Sequence, residues 1–139
     1  MIILDSNVLS AAMKAAADVT VTEWLDRQPR DSIWTTSVTL MEVWFGLHTM
    51  PAGRKRDALT TALTILLDEK IQGRIASFDN AAAEQAAELM ALRRRKGRPV
   101  ELRDTMIAGI ALASRATLAT RNTSHFEDLS VPVVNPWKI

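Results

Sequence analysis

Three acids and one amide stand where an α/β sheet of parallel strands would gather them. Asp5 directly follows a short apolar run, residues 1–4. Glu42 lies one turn inside a helix-prone stretch that follows the β-prone SIWTT, residues 32–36. Asp104 falls in the first turn of a helix that feeds the β-prone segment around Leu118, and Asn122 comes two residues after that segment. Each also has a plain structural role open to it. Asp5 can cap the next helix. Glu42 sits three residues after Thr39, which is capping-box spacing. Asp104 can complement a helix dipole.

Carboxylates collected at one sheet edge repel. Two unit charges about 4 Å apart cost about 4 kcal/mol at an effective dielectric of roughly 20. Protons or a cation must relieve that. The chain has no cysteine, and its two histidines, His48 and His125, are far apart in sequence. Thiolate zinc sites, iron–sulfur clusters, disulfides and cysteine nucleophiles are therefore excluded. An all-oxygen site favours Mg²⁺ or Mn²⁺. A hard cation among carboxylates, near a basic stretch, points to phosphate-ester chemistry.

That basic stretch is residues 93–103. Arg93, Arg94, Arg95, Lys96, Arg98 and Arg103 stand there against Glu101 alone, for a local charge of +5 in a chain whose net charge is +1. It is a candidate face for an anionic partner, or simply a solvated helix end.

The elements that must position these groups read as follows. Residues 1–4, 32–36, 74–77, 117–120 and 131–134 are strand-prone. Residues 8–17, 18–27, 38–50, 54–70, 79–95 and 101–116 are helix-prone, with Gly73 expected to stop the fourth helix and Asp79 to cap the fifth. The loop 96–100 and an irregular segment 121–129 connect them. The last helix is expected to bury Leu102, Met106, Ile110 and Ala113. Pro132 and Pro136 suggest that the final strand lies at a sheet edge. Short strands alternating with helices imply a parallel sheet covered on both faces, with ligands beyond the carboxyl ends of the strands. At 139 residues, 47% hydrophobic and 24% charged, one domain spanning 1–139 is expected. No apolar run reaches the roughly 20 residues of a membrane span, and the start MIILDSN has no basic region. A cytoplasmic protein without a signal peptide is the expectation.

Four segments in order carry a resemblance: Ile3-Leu4-Asp5-Ser6-Asn7-Val8-Leu9, Ser37-Val38-Thr39-Leu40-Met41-Glu42, Asp104-Thr105-Met106-Ile107-Ala108, and Ala119-Thr120-Arg121-Asn122 with Phe126. The chain resembles the PIN-domain nucleases and, within them, the VapC-type toxins of bacterial toxin–antitoxin pairs. The resemblance implies a three-layer α/β/α sandwich around a short-stranded, mostly parallel sheet. It implies an endoribonuclease dependent on Mg²⁺ or Mn²⁺, with Asp5, Glu42 and Asp104 at the family's acid positions. Asn122 stands where the family often has a fourth acid. Ser6 and Thr120 occupy supporting positions.

On this reading Asp5 and Asp104 bind the metal directly, and Glu42 directly or through water. Asn122 orients a water or a carboxylate. The basic residues of 93–103 hold flanking RNA phosphates, and His125 is either near the phosphate or merely structural. A homodimer is implied, with Leu59, Leu63 and Leu66 plus Ala83, Ala86 and Ala87 as the candidate surface. A small antitoxin is implied too, laying a helix in an apolar groove walled by Trp44, Phe45 and Leu47 and inserting a basic side chain among the acids. Two other readings of the same residues have different requirements. A haloacid-dehalogenase-like phosphatase would need an acid where Asn7 stands. A catalytically idle RNA- or protein-binding module of the same fold would not need all three acids.

Overall fold

The computed structural model describes residues 1–14, 18–99 and 101–138. The sheet is built outward from β1 (Ile2–Leu4), whose run of branched side chains suits a strand buried on both faces. It pairs with β2 (Ile33–Thr36) on one side and β4 (Thr117–Ala119) on the other. Beyond β2 lies β3 (Ile75–Ala76), and beyond β4 lies β5 (Val133–Val134). Every one of these pairings is parallel. The order β3-β2-β1-β4-β5 reverses direction between β1 and β4. That is the switch point beside which such sheets open a crevice.

Successive residues of a strand face opposite sides of a sheet, and the core divides accordingly. Ile3 and Leu118 point to one face, Leu4 and Ala119 to the other. On the Leu4 face lie α1 (Ser6–Met13), α2 (Val19–Arg27), most of α3 (Ser37–Thr49) and α4 (Arg54–Ile65). Val8, Leu9, Val21, Val43 and Leu63 fill the core there. On the Ile3 face α5 (Asn80–Arg95) and α6 (Leu102–Ser114) bring Ala82, Leu89, Ile107 and Ile110. This is the expected three-layer sandwich, with the sheet fully parallel. Among the described residues no helix is long and apolar enough to cross a membrane.

Several details differ from the sequence reading. The first helix begins at Ser6, because the Asp5 side chain caps it. The end of the predicted 8–17 helix lies outside the described residues, as does residue 100 of the predicted loop. The fourth helix is regular only to Ile65; a π turn, Leu66–Ile71, follows and closes with Gln72 N–H on Leu67 O at 2.7 Å. The wider turn brings Leu66 and Ile71, five residues apart, both into the core. Gln72 itself takes the left-handed conformation that ends the helix, one residue before Gly73.

The predicted buried stripe of α6 is also corrected. Leu102 is 57% exposed and Ala113 is exposed, while Thr105, Ile107, Ala108, Gly109, Ile110 and Ala111 are buried. The helix packs against the sheet on one side and α5 on the other, so it is apolar almost all round. Gly109 marks the close approach: a Cβ there would lie 2.5 Å from Ala82 O and 2.8 Å from Ala86 Cβ. The candidate dimer surface is reduced for a related reason: Ala83 and Ala87 are exposed and Leu59 is half-buried, but its other three residues face inward. Leu63 and Leu66 are core residues, and Ala86 lies under Gly109.

Candidate active site

Asp5 is the first residue past β1, and every part of it is held. Its N–H donates to Ala119 O at 2.9 Å, and its carbonyl accepts from Val8 and Leu9 N–H. Its Oδ1 accepts from Ser6 N–H at 2.8 Å and its Oδ2 from the Thr120 hydroxyl at 2.7 Å. The residue is 3% exposed. Burial raises its pKa above the ordinary carboxylate value; the bonds from Thr120 and Ser6 oppose the rise, and the nearby charge of Asp104 adds to it.

Thr120 stands just past β4 and is fully buried. Its hydroxyl oxygen also accepts from Asn122 N–H at 3.1 Å and from the Asn7 amide at 3.4 Å. Asn7 Oδ1 in turn accepts from Arg121 N–H at 3.1 Å. Asn7 and Thr120 thus lace the end of β1 to the end of β4. Asn7 belongs to the first of the four resembling segments, but its bridging role spans more than a hundred positions and leaves no local signal.

Glu42 reaches the same place from the second turn of α3. It is not part of a capping box: Thr36 caps α3, its hydroxyl accepting from Thr39 N–H at 2.9 Å. Glu42 Oε1 is buried and has no hydrogen-bond partner. Its Oε2 lies 3.9 Å from Arg103 Nη1. Burial first, then the charge of Asp5, pushes its pKa up to about 6, with Arg103 opposing.

Asp104, in the first turn of α6, completes the group. Its Oδ2 is 2.9 Å from His125 Nδ1, and its N–H is capped by Glu101 Oε2 at 2.7 Å. Asn122 is exposed at the start of a 3₁₀ turn, Thr123–Phe126, tied toward the group by its N–H on Thr120 Oγ1. Asp5, Glu42 and Asp104 are close enough for their charges to act on one another. Among the described residues, no three of these side chains already converge as direct metal ligands. The donor set still fits a hydrated hard cation, which keeps several waters and needs only one or two carboxylates. The orphaned Glu42 oxygen is the buried acceptor such a hydrated ion would satisfy.

Two cavities flank the acids. One, of about 450 Å³, is lined by Arg93, Arg98, Glu101, Asp104, Ser124 and His125. The other, of about 400 Å³, runs from Ser6, Glu42 and Arg103 along Val43, Leu47 and Met50. The second is the apolar groove beside Glu42, but only Leu47 of the three predicted wall residues borders it. Trp44 stacks on His48 at 5.9 Å between ring centroids, and Phe45 is 62% exposed. Helical spacing explains the correction: Val43, Gly46, Leu47 and Met50 share one face of α3, and Trp44 and Phe45 turn off it.

The basic segment divides as well. Arg94, Arg95 and Lys96 are exposed, and Arg103 stands over Glu42 and Glu101. Arg98 approaches Glu127 and Asp128. Arg93 is 4% exposed, its guanidinium clasped by Asp128 through two bonds of 2.9 Å. Buried, with its donors engaged inside the protein, it is not the free phosphate-binding charge expected from the sequence.

The PIN-domain family pattern matches residues 2–131. This chain belongs to the PIN-domain family. The PIN chain is similar to the plasmid stability protein StbB of Pseudomonas syringae pv. tomato, at 37% identity over 99% of both chains. It is similar to the VapC ribonuclease Y4jK of Sinorhizobium fredii, at 36% over 99% of both. A third relative is toxin FitB of Neisseria gonorrhoeae, 30% identical over 99% of both. A solved structure of FitAB bound to an IR36 DNA fragment matches this PIN domain with a TM-score of 0.89 and 29% identity, over 100% of this chain and 97% of that one.

Proposed function

We propose that this PIN protein is an endoribonuclease, the toxin of a toxin–antitoxin pair, and that it cuts RNA phosphodiester bonds with Mg²⁺ or Mn²⁺ held at Asp5, Glu42 and Asp104. The observation that carries the reading is the unpartnered Glu42 Oε1, buried where the charges of Asp5 and Asp104 also act. A buried acceptor without a donor is costly unless something binds there. The relatives named as a ribonuclease and a toxin supply the substrate class and the biological role.

A hard divalent cation, when bound, supplies Lewis acidity to a phosphate and lowers the pKa of a water. The chain does the rest. Thr120 and Ser6 fix both oxygens of Asp5, so it need not reorient on binding. His125 holds Asp104, and Asn122 presents an exposed amide that can orient a water or a phosphate oxygen. Arg94, Arg95 and Lys96 offer charge to flanking phosphates. A small antitoxin restrains the enzyme by setting a helix against the groove along Val43, Leu47 and Met50 and placing a basic side chain among the acids. The same reading makes the protein a cytoplasmic homodimer.

The test is incubation of a mixed RNA pool with the purified protein. Cleavage with Mn²⁺ or Mg²⁺, abolished by chelator and by Asp104→Asn, supports the reading. Full cleavage in excess chelator, or by Asp104→Asn with metal, contradicts it. Tight RNA binding with no cleavage in any divalent metal would favour the idle-module alternative.

A further inference from the structure

The Arg93–Asp128 pair occupies a position that its electrostatics alone do not explain. Both side chains are almost fully buried. The Arg93 guanidinium donates to Asp128 through Nε and Nη2, each at 2.9 Å. Nη2 donates also to His125 O at 2.8 Å, and Nη1 lies 3.3 Å from Thr105 Oγ1. Thr105 Oγ1 in turn donates to Glu101 O at 2.8 Å. One planar cation at the end of α5 therefore ties the 3₁₀ turn, at His125, to the first turn of α6, at Thr105. The two residues it ties are the one that holds Asp104 and the one that follows Asp104.

Buried ion pairs are poor sources of stability, since well-packed apolar replacements are often as stable or more so. A guanidinium does offer rigid, forked geometry that an apolar pair lacks. Asp128 is kept ionised for the role: the bonds from Arg93 hold its pKa below the ordinary carboxylate range. We propose that Arg93 and Asp128 are positioning residues, whose function is to seat His125 against the Asp104 carboxylate. His125 Nδ1 stands 2.9 Å from Asp104 Oδ2 although its side chain is about half exposed. An exposed pair of that kind would sample many arrangements; anchoring the His125 backbone removes most of them. The inference rests on the nuclease reading only for its catalytic consequence.

The experiment compares wild type with Arg93→Met/Asp128→Leu, which removes both charges at similar volume, and with Arg93→Lys, which keeps a charge but not the fork. With only two histidines in the chain, His125 is readily assigned in long-range proton–nitrogen spectra. The double variant should keep a wild-type thermal midpoint yet lose the shift that marks Nδ1 hydrogen-bonded to a carboxylate. Its affinity for Mn²⁺ alone, by calorimetry, should fall by about tenfold or more, and kcat should fall similarly with KM for RNA nearly unchanged. If the double variant does not fold, Arg93→Lys should show the same losses. A folded variant with the wild-type His125 spectrum and Mn²⁺ affinity overturns the proposal. Should the wild type cut no RNA, the nuclease reading falls, and the His125 spectrum still decides this one.

Discussion

The Thr120 hydroxyl donates to Asp5 Oδ2 at 2.7 Å across 115 positions of sequence, joining the end of β4 to the end of β1 at the switch point of the sheet. Thr120→Val keeps the shape and removes the donor. Asp5 then loses a bond that favours its charged form, so its already raised pKa climbs further. The variant should lose about 1–3 kcal/mol in urea unfolding at neutral pH and cleave RNA more slowly. Thr120→Ser should restore most of both. A Thr120→Val variant with wild-type stability and cleavage, beside a damaged Thr120→Ser, would show that the methyl packing matters and the bond does not.

The crowded contact of α6 on α5 gives a second expectation. Gly109→Ala places a methyl against Ala82 O and Ala86 Cβ, backbone and a short side chain that cannot swing aside. Overpacking of this kind costs about 1–3 kcal/mol. Thermal unfolding of Gly109→Ala should show the loss; an unchanged midpoint would mean that the two helices separate freely.

Acid strength links the site to stability. Asp5 and Glu42 have folded pKa values above their unfolded ones, so the folded state holds protons more tightly than the unfolded state. Their contribution is therefore favourable at low pH and is lost as pH rises from the ordinary carboxylate range, about 4, through about 6 for Glu42. In chelator, the thermal midpoint should fall across that window, and less so in Glu42→Gln. Asp128, with its pKa lowered, acts in the opposite sense: its stabilisation is present above the ordinary range and is lost on acidification below it. A midpoint with the same pH dependence in wild type and Glu42→Gln would refute the assignment to Glu42.

The basic segment should show two kinds of behaviour. Arg94→Gln/Arg95→Gln should weaken RNA binding and lower its salt slope by roughly 1.4, about 0.7 for each phosphate contact on single-stranded RNA, without altering stability. Arg93→Gln should instead destabilise the protein, because it strips the buried Asp128 of its two 2.9 Å bonds and leaves only Arg98, 3.5 Å away. Filter binding across a salt series, beside urea unfolding, separates them. An unchanged slope in the double variant would make those arginines a solvated helix end.

Much of this was legible in the sequence, and the failures share a cause. The placement of Asp5 and Asp104 is legible because a residue just past a strand, or in the first turn of a helix feeding one, is placed by topology alone. Arg93 stands first in a run of four basic residues, which hides its burial from a reading of charge alone. The helix phase held the answer: Ala82, Ala86, Leu89 and Arg93 are the buried residues of α5, spaced by fours and threes. The same phase argument moves the groove from Trp44 and Phe45 to Val43, Gly46, Leu47 and Met50. Other features had no local signal. The pairing of His125 with Asp104 depends on how a loop folds back over a helix, and the π turn after Ile65 depends on which leucines the core can accept.

On the proposed reading, the acids past β1, in α3 and in α6 hold a divalent cation. An anomalous difference map, recorded at the manganese edge from crystals soaked in Mn²⁺, tests it most directly. A strong peak is expected between Asp5, Glu42 and Asp104, with Glu42 Oε1 bonded to the ion or to one of its waters. A map with no peak there, or with its strongest peak elsewhere, would contradict metal binding by these acids.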